Sequence, residues 1–251
     1  MEKKELILGR NPVMEYLRTL APGAGGLLRV SDHAHGRIID EIMGVAKKKN
    51  VPVRRENREF FSSLGPSSAH QGVALEVSRQ AKKHDELSLL EDAMAAKGVL
   101  VALDQITDPH NAGAIIRSAE ALGCHGIIMP AAHTTEITPV VIKASAGATA
   151  YIPVITVSNL ASFLEKAKKT GFWIIGSTDH GDRDLDSLKN TRPAIVVIGS
   201  EGSGMRRLTE EKCDYTVRIP LRGRVSSLNA SVAAGIILYE ILKETPEKNN
   251  H

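Results

Sequence analysis

From residue 99 to residue 243 the chain alternates short runs of branched apolar residues with stretches of helical periodicity. The clearest predicted strands span 99–103, 194–198 and 215–219, and the clearest predicted helices span 111–122 and 228–243. Strands and helices that alternate in this way build a mostly parallel sheet covered by helices on both faces. The pattern predicts an α/β fold, whose ligands bind beyond the carboxyl ends of the strands.

A smaller α/β pattern precedes this one. Strands are predicted at 26–30 and 71–77, and helices at 36–49, at 56–64 and after a capping Asn11. A polar, charged stretch follows. We therefore place one domain at residues 1–78, a linker at 79–88 and a second domain at 89–251.

Charge is distributed unevenly between the two parts. Residues 1–85 hold 15 Lys and Arg against 10 Asp and Glu, a balance of +5, and residues 86–251 hold 17 against 19, a balance of −2. A basic leading segment suggests an anionic partner held mainly by the first domain. The alternative is a basic surface that is simply solvated.

Composition excludes several classes of protein. The two cysteines, Cys124 and Cys213, lack CxxC spacing, so we expect neither a disulfide framework nor a zinc site. There is no apolar run long enough to cross a membrane, and the first residues do not resemble a signal peptide. Aromatic residues make up 4% of the chain, which argues against base-stacking platforms. We expect a cytoplasmic protein without a metal or a membrane partner.

Polar residues are dense after the predicted strand at 99–103. The segment reads Asp-Pro-His-Asn from residue 108, and Arg117 follows within a helix of small apolar residues. Asn111 is of a type that caps helices. A guanidinium among apolar residues needs a partner. An ion pair with Glu120 in the same helix is the alternative to a functional role for Arg117.

Two further loops follow predicted strands. Gly199, Gly202 and Gly204 surround Glu201, so this loop can turn sharply and approach a ligand with its backbone. After residue 219 the chain reads Pro-Leu-Arg-Gly-Arg-Val-Ser-Ser-Leu-Asn and enters the last helix. Its Ser226, Ser227 and Asn229 are types that satisfy unpaired N–H groups at a helix start, where an oxygen-rich ligand can also bind. Neither loop carries a dinucleotide or P-loop fingerprint.

Other polar residues have a simpler interpretation. Asp104 is expected to be a turn or cap residue. His110 is a candidate base, with a solvated turn histidine as the alternative. The Asp179-His180-Gly-Asp182 segment resembles a metal or acid–base cluster, although its composition favours a solvated turn that could touch a ligand.

In this order and spacing, the three segments between residues 99 and 240 resemble the motifs of the SpoU (TrmH-like) RNA 2′-O-ribose methyltransferases. The segments Gly-Arg-Asn-Pro-Val from residue 9 and His-Gln-Gly-Val-Ala-Leu from residue 70 resemble the substrate-binding domain attached to many of these enzymes. The resemblance implies a SPOUT domain with a deep trefoil knot, preceded by an L7Ae/L30e-like RNA-binding domain. It also implies S-adenosylmethionine as methyl donor, a homodimer whose site is completed near the interface, and a guanosine of 23S rRNA as substrate.

The resemblance also implies roles for individual residues. The catalytic set is Arg117, Asn111, Glu201, Ser227 and Asn229. The donor-binding set is Gly199, Glu201, Ile219, Leu221, Ser227, Leu228 and Asn229. The RNA-binding set is Arg117, Arg10, Arg222 and Arg224.

The chemistry of Arg117 limits its role. A guanidinium stays protonated in proteins and is a poor base. We expect Arg117 to stabilise negative charge on the 2′-oxygen and to hold a phosphate, with Glu201 orienting Arg117 and Asn111. Two features depart from the family pattern: Ala230 stands where valine is common, and Arg222 and Arg224 charge a loop that is often neutral.

Three alternatives stay open at this point. One is a SpoU enzyme that acts on transfer RNA or on another ribosomal nucleotide. Another is a catalytically silent RNA-binding or ribosome-assembly protein. The last, a nucleotide-dependent oxidoreductase, lacks its glycine fingerprint.

Overall fold

The structure is a computed structural model that describes residues 4–23, 25–64, 70–78, 85–189 and 191–243. Its internal contacts divide the chain into two compact units. The first comprises Met1–Lys83 and Glu136–Tyr151, and the second comprises His84–Thr135 and Ile152–His251. Residues 136–151, which the sequence groups with the second domain, thus make their contacts within the first unit. The proposed linker falls largely on residues outside the described ranges.

In the leading part of the first unit, the described residues form four strands and three helices. They are β1 (Lys4–Leu8), α1 (Arg10–Thr19), β2 (Leu27–Ser31), α2 (Arg37–Lys48), β3 (Val53–Glu56), α3 (Arg58–Ser63) and β4 (Val73–Ser78). The sheet order is β1-β4-β2-β3, with β4 antiparallel to β1 and β2, and β2 parallel to β3. Apolar residues of alternate strand positions pack with α1 and α2 to form one core.

Two details of this unit differ from the sequence prediction. Strand β1 was not predicted, because its five residues include two charged ones and only three apolar ones. Helix α1 begins after Gly9, whose φ of 97° favours glycine, and Gly9 rather than Asn11 occupies the capping position. Asn11 lies inside the first turn instead.

The rest of the chain supplies the elements of the second unit, together with α6, which packs in the first. In order they are α4 (Glu86–Ala95), β5 (Val99–Leu103), α5 (Pro109–Ala121), β6 (Gly126–Pro130), α6 (Pro139–Ala144), β7 (Val154–Val157), α7 (Leu160–Lys169), β8 (Trp173–Ser177), β9 (Arg183–Asp184), β10 (Ala194–Ile198), α8 (Arg207–Glu210), β11 (Tyr215–Arg218) and α9 (Ala230–Leu242). The seven strands are all parallel, in the order β7-β6-β5-β10-β8-β11-β9. The predicted α/β fold is confirmed.

Burial explains why the central strands were easy to predict. Every residue of β5 and β10 is buried, as expected for strands covered on both faces. Leu100 and Ala102 join a core with α4 and α7. Their alternate neighbours point to the other face, where α5 and α9 pack against each other.

Because the strands of the second unit are parallel, their carboxyl ends lie along one edge of the sheet. The loops that follow β5, β8, β10 and β11 therefore converge there. Among the described residues no helix is long and apolar enough to cross a membrane. The trefoil knot stays a prediction.

Candidate active site at the carboxyl edge of the sheet

One carboxylate oxygen joins three of these loops. Glu201 Oε1 accepts hydrogen bonds from Asn111 Nδ2 at 2.7 Å, from Asn229 Nδ2 at 2.5 Å and from the backbone N–H of Ala230 at 3.3 Å. Asn229 Nδ2 also donates to Asn111 Oδ1 at 2.9 Å. The structure thus brings Asn111, Glu201 and Asn229 of the predicted catalytic set into direct contact.

Asn111 can take part because another residue caps its helix. The carboxylate of Asp108 accepts from the backbone N–H groups of His110 and Asn111 at 3.1 and 3.3 Å. Pro109 occupies the first turn, where its missing N–H has no cost. The capping role considered for Asn111 therefore belongs to Asp108.

The last helix has one side-chain cap, and it is Asn229. Its Oδ1 accepts from the N–H groups of Ser231 at 3.0 Å and Val232 at 3.3 Å, and from the Ser231 hydroxyl at 2.5 Å. Ser226 and Ser227 precede the helix and are exposed, in contrast to the capping role predicted for them. Asn229 uses its oxygen for the cap and its amide nitrogen for Glu201.

The loop that carries Glu201 closes on itself and requires glycine. Ser200 and Gly204 exchange backbone hydrogen bonds at 3.0 and 3.1 Å, and Gly204 has a φ of 65°. A Cβ on Gly199 would lie 2.4 Å from the carbonyl carbon of Gly204. Only a residue without a side chain fits at position 199 in this turn.

An ion pair with a buried carboxylate connects this loop to the loop after β5. The Asp104 side chain is 0% exposed and accepts from the backbone N–H of Arg206 at 2.8 Å and from its Nε at 2.7 Å. Arg206 Nη2 also lies 2.7 Å from Asp104 Oδ1. Asp104 is therefore not the turn or cap residue predicted from the sequence, because its partner lies 102 positions away.

A cavity of about 220 Å³ opens beside Glu201. Its walls come from residues 177–180, 198–205, 219, 221 and 226–228, with Glu210, Ala230 and Ala233. Every residue of the predicted donor-binding set except Asn229 lies on these walls. Asn229 contacts Glu201 instead.

Arg117 lies outside this arrangement. Its side chain is exposed on α5, and the described part of the chain offers it no hydrogen bond or ion pair. Glu201 does not contact it, in contrast to the predicted orientation of Arg117 by Glu201, and the intrahelical pair with Glu120 does not form either. A single chain leaves Arg117 facing solvent.

The other predicted cations are placed as follows. Arg222 and Arg224 are exposed in the loop between β11 and α9. In the first unit, Arg10 donates its backbone N–H to Gln71 Oε1 at 3.1 Å and its Nε to Gln71 O at 3.2 Å. His110 is exposed on the first turn of α5 and is not part of the cavity wall.

The loop after β8 is mostly exposed, as expected for a solvated turn, and its polar side chains also form hydrogen bonds. His180 lies between Asp179 and Glu210, and the Asp179 carboxylate followed by that of Glu210 raises the pKa of His180. The same ring lowers the pKa of Asp179. Hydrogen bonds from Thr216, the backbone N–H first, lower the pKa of Asp182.

No metal site emerges from these groups. Among the described residues no three of His, Cys, Asp and Glu are arranged to hold a metal ion. Burial raises the pKa of the Cys124 and Cys213 thiols to about 12, so both stay protonated at neutral pH.

Sequence reasoning missed one wall of the cavity. Thr178, His180 and Glu210 line it, and the Thr178 hydroxyl is buried without a hydrogen-bond partner among the described residues. The position of this loop in the chain could have indicated its place at the cavity, because residues 178–182 follow a strand that ends at the same edge as β5 and β10. The sequence predicts a strand at 172–175, but the loop after it was not grouped with the other three.

The fold and the site define a class of protein. A fully parallel sheet with a pocket at its carboxyl edge, closed by a glycine-containing loop and a capped helix, is typical of α/β proteins that bind a nucleotide-like molecule.

The chain belongs to the SpoU rRNA methylase family, whose model matches residues 98–239. A second model, for the substrate-binding domain of RNA 2′-O ribose methyltransferases, matches residues 6–82. An uncharacterized tRNA/rRNA methyltransferase of Mycolicibacterium smegmatis is 39% identical over 244 residues, which are 97% of this chain and 77% of that protein.

Solved structures agree with this assignment. The SpoU methyltransferase AviRb from Streptomyces viridochromogenes, in complex with AdoMet, has a TM-score of 0.76 and 27% identity, covering 95% of this chain and 89% of its own. An AdoMet-bound rRNA methyltransferase from Sinorhizobium meliloti shares the fold, with a TM-score of 0.75 and 24% identity over 95% and 86%. The family, the SPOUT-type α/β fold and the cofactor S-adenosylmethionine are thereby confirmed.

The residues of the cavity fit this cofactor. Its apolar wall, which includes Ile198, Ile219 and Leu228, suits an adenine ring. The unpartnered Thr178 hydroxyl can bond to the polar edge of a nucleoside.

The ion pair of Asp104 generates a test of how the site is held together. We expect Asp104→Asn to lower the free energy of unfolding by about 2 kcal/mol, because the hydrogen bonds from Arg206, which is 36% exposed, to the buried carboxylate lose their charge assistance. Urea unfolding followed by circular dichroism measures this change.

The matched control is Asp184→Asn, because Asp184 also pairs with an arginine, Arg218, but in an exposed position. Its cost should stay below about 1 kcal/mol. Equal costs for the two variants would show that the Asp104 pair is no more important than a surface contact.

Proposed function

We propose that this SpoU-family methyltransferase modifies the ribose 2′-oxygen of a guanosine in 23S ribosomal RNA. The proposal rests on the hydrogen bonds that join Asn111, Glu201 and Asn229 beside a cavity that fits the methyl donor. The basic excess of residues 1–85 and the family match of residues 6–82 support an RNA held by the first unit. In this proposal the enzyme works in the cytoplasm, where it meets ribosomal RNA.

Each catalytic residue has a task that its chemistry suits. When bound, S-adenosylmethionine supplies the methyl group. Glu201 fixes both asparagine side chains. Asn229 uses its polar atoms on Glu201, Asn111 and the helix start, which leaves the second N–H of the Asn111 amide, held in a fixed position, available to the ribose. Ser227, exposed on the cavity wall, positions the ribose or the donor. Arg117 stabilises negative charge on the 2′-oxygen and binds the adjacent phosphate.

A homodimer is part of the proposal, because the described residues of one chain offer Arg117 no partner. Helix α9 exposes Val232, Ile236 and Tyr239, of which Tyr239 is 61% exposed. These residues line a shallow groove together with Ala114, which lies one helical turn before Arg117 on α5. A second copy that covers this apolar face in a two-fold arrangement would bring Arg117 of each chain to the interface.

A second candidate is methylation of transfer RNA or of another ribosomal nucleotide. The Mycolicibacterium smegmatis relative carries a name that covers both tRNA and rRNA. The two candidates use the same catalytic residues and differ in the RNA that the first unit holds.

Mapping of ribose methylation in cellular RNA tests the substrate. Cells without the gene should lose one 2′-O-methylguanosine from 23S rRNA, and the wild-type gene should restore it. The Arg117→Ala gene should fail to restore it, because loss of one donor to a developing oxyanion lowers a rate by about a hundredfold or more.

Other outcomes separate the alternatives. A mark lost from transfer RNA would favour the second candidate, and no lost mark would favour a catalytically silent RNA-binding protein. Normal turnover by Arg117→Lys would show that a point charge suffices without the planar guanidinium.

The loop between β11 and α9 generates a test of RNA binding. If Arg222 and Arg224 each contact a phosphate, replacing both with alanine removes two counterion-releasing contacts. The slope of log K against log salt should then fall by about 1.4 to 1.8. Fluorescence anisotropy of a labelled rRNA fragment across a salt series measures the slope.

The control is the double variant Lys189→Ala, Lys212→Ala, which removes the same charge from side chains already paired with Asp186 and Glu165. Its slope should match that of the wild type. An unchanged slope in the arginine double variant would make Arg222 and Arg224 ordinary surface residues.

A further inference from the structure

The side chain of His180 connects the loop that follows β8 to α8 by hydrogen bonds. His180 Nδ1 lies 2.8 Å from Asp179 Oδ1, and its Nε2 lies 3.1 Å from Glu210 Oε1. Asp179 belongs to the same loop, whereas Glu210 is the last residue of α8. All three side chains line the cavity beside Glu201.

The other attachments of this loop lead elsewhere. The backbone N–H of Thr178 donates to Val217 O at 3.1 Å, and Asp182 exchanges hydrogen bonds with Thr216. Both of these partners lie on β11. Within the described ranges, His180 supplies the one hydrogen-bonded link between this loop and α8. The cavity wall that carries the unpartnered Thr178 hydroxyl therefore depends on His180 for its support on that side.

The two hydrogen bonds from His180 to carboxylates require a protonated ring. A neutral imidazole has one N–H, so it can donate to only one carboxylate, whereas the imidazolium donates from both nitrogens. The ring faces Asp179 from its own loop and Glu210 from α8. The other charged groups nearby are engaged, since Asp182 is bound to Thr216 and Arg207 to Glu211.

We propose that His180 is a positioning residue of the donor site. In its protonated form it links the loop after β8 to α8 by two hydrogen bonds, and so it holds the wall that receives S-adenosylmethionine in place. This inference rests on the proposed use of the cavity as the donor site. Its consequence is a donor affinity that depends on pH.

The sign of the pH dependence follows from these two hydrogen bonds. Both carboxylates favour the protonated ring, and the pKa of His180 is raised above its ordinary value. Below the ordinary pKa of histidine both hydrogen bonds of His180 are formed, and one of them is lost as the pH rises through the raised pKa of its ring. Donor binding should therefore weaken with rising pH.

Isothermal titration of the full chain with S-adenosylmethionine, at about pH 6 and about pH 9, measures the effect across the titration of a histidine. The His180 side chain is 69% exposed, so its hydrogen bonds are screened by solvent. We expect the wild-type Kd to rise about threefold more between the two pH values than the Kd of His180→Gln. Titration of the ligand itself contributes equally to both proteins and cancels in this comparison.

Two further variants make the test specific. Glu210→Gln removes the carboxylate on α8 and should flatten the pH dependence as His180→Gln does. His133→Asn should keep the wild-type dependence, because His133 is exposed in another loop and its φ of 60° is one that asparagine adopts readily.

Each remaining outcome is decisive. Equal pH dependence in the wild type and in His180→Gln would overturn the role of His180 and leave the donor site standing. Absence of S-adenosylmethionine binding by the wild type at both pH values would overturn the donor site and this inference with it.

Discussion

The candidate active site depends on one acceptor, the Oε1 atom of Glu201. It collects hydrogen bonds from Asn111, which lies 90 positions earlier, and from Asn229, which lies 28 positions later. These residues follow different strands, and they meet because parallel strands end at one edge of the sheet. A carboxylate suits this position because it accepts several hydrogen bonds and donates none.

The loop that carries Glu201 is held in place from both sides. On one side, Gly199 permits a turn that a side chain would block. On the other, Arg206 is anchored to the buried Asp104. Burying the Asp104 carboxylate costs several kcal/mol in desolvation, so its pair with Arg206 contributes defined geometry more than net stability. That geometry places the Glu201 carboxylate within reach of both asparagines.

The sequence predicted best what depends on burial. Strands β5 and β10 agree with their predicted limits, because both faces of each are covered and the apolar run has clear ends. Strand β1 was missed because it mixes charged with apolar residues. The cap of α5 could have been identified, since Pro109 marks the first turn and Asp108 precedes it.

Long-range partners were not predictable in the same way. Nothing near Asp104 in the sequence indicates an arginine 102 positions away, so a turn or cap was the natural expectation. For Arg117 the local pattern indicated that a partner was needed, yet the described part of one chain does not provide it. The family resemblance supplied the order of the motifs, and the contacts among Asn111, Glu201 and Asn229 came from the structure.

In the proposed homodimer, Arg117 of each chain completes the catalytic site of its partner. Co-expression of the Arg117→Ala and Glu201→Ala chains with different tags, followed by a methyl-transfer assay on 23S rRNA, tests it most directly. Each variant alone should be inactive. The mixture should recover about one quarter of wild-type turnover, because half of the dimers are mixed and one of the two sites in each is intact. A mixture as inactive as the separate variants would show that Arg117 acts within its own chain, and it would contradict the account.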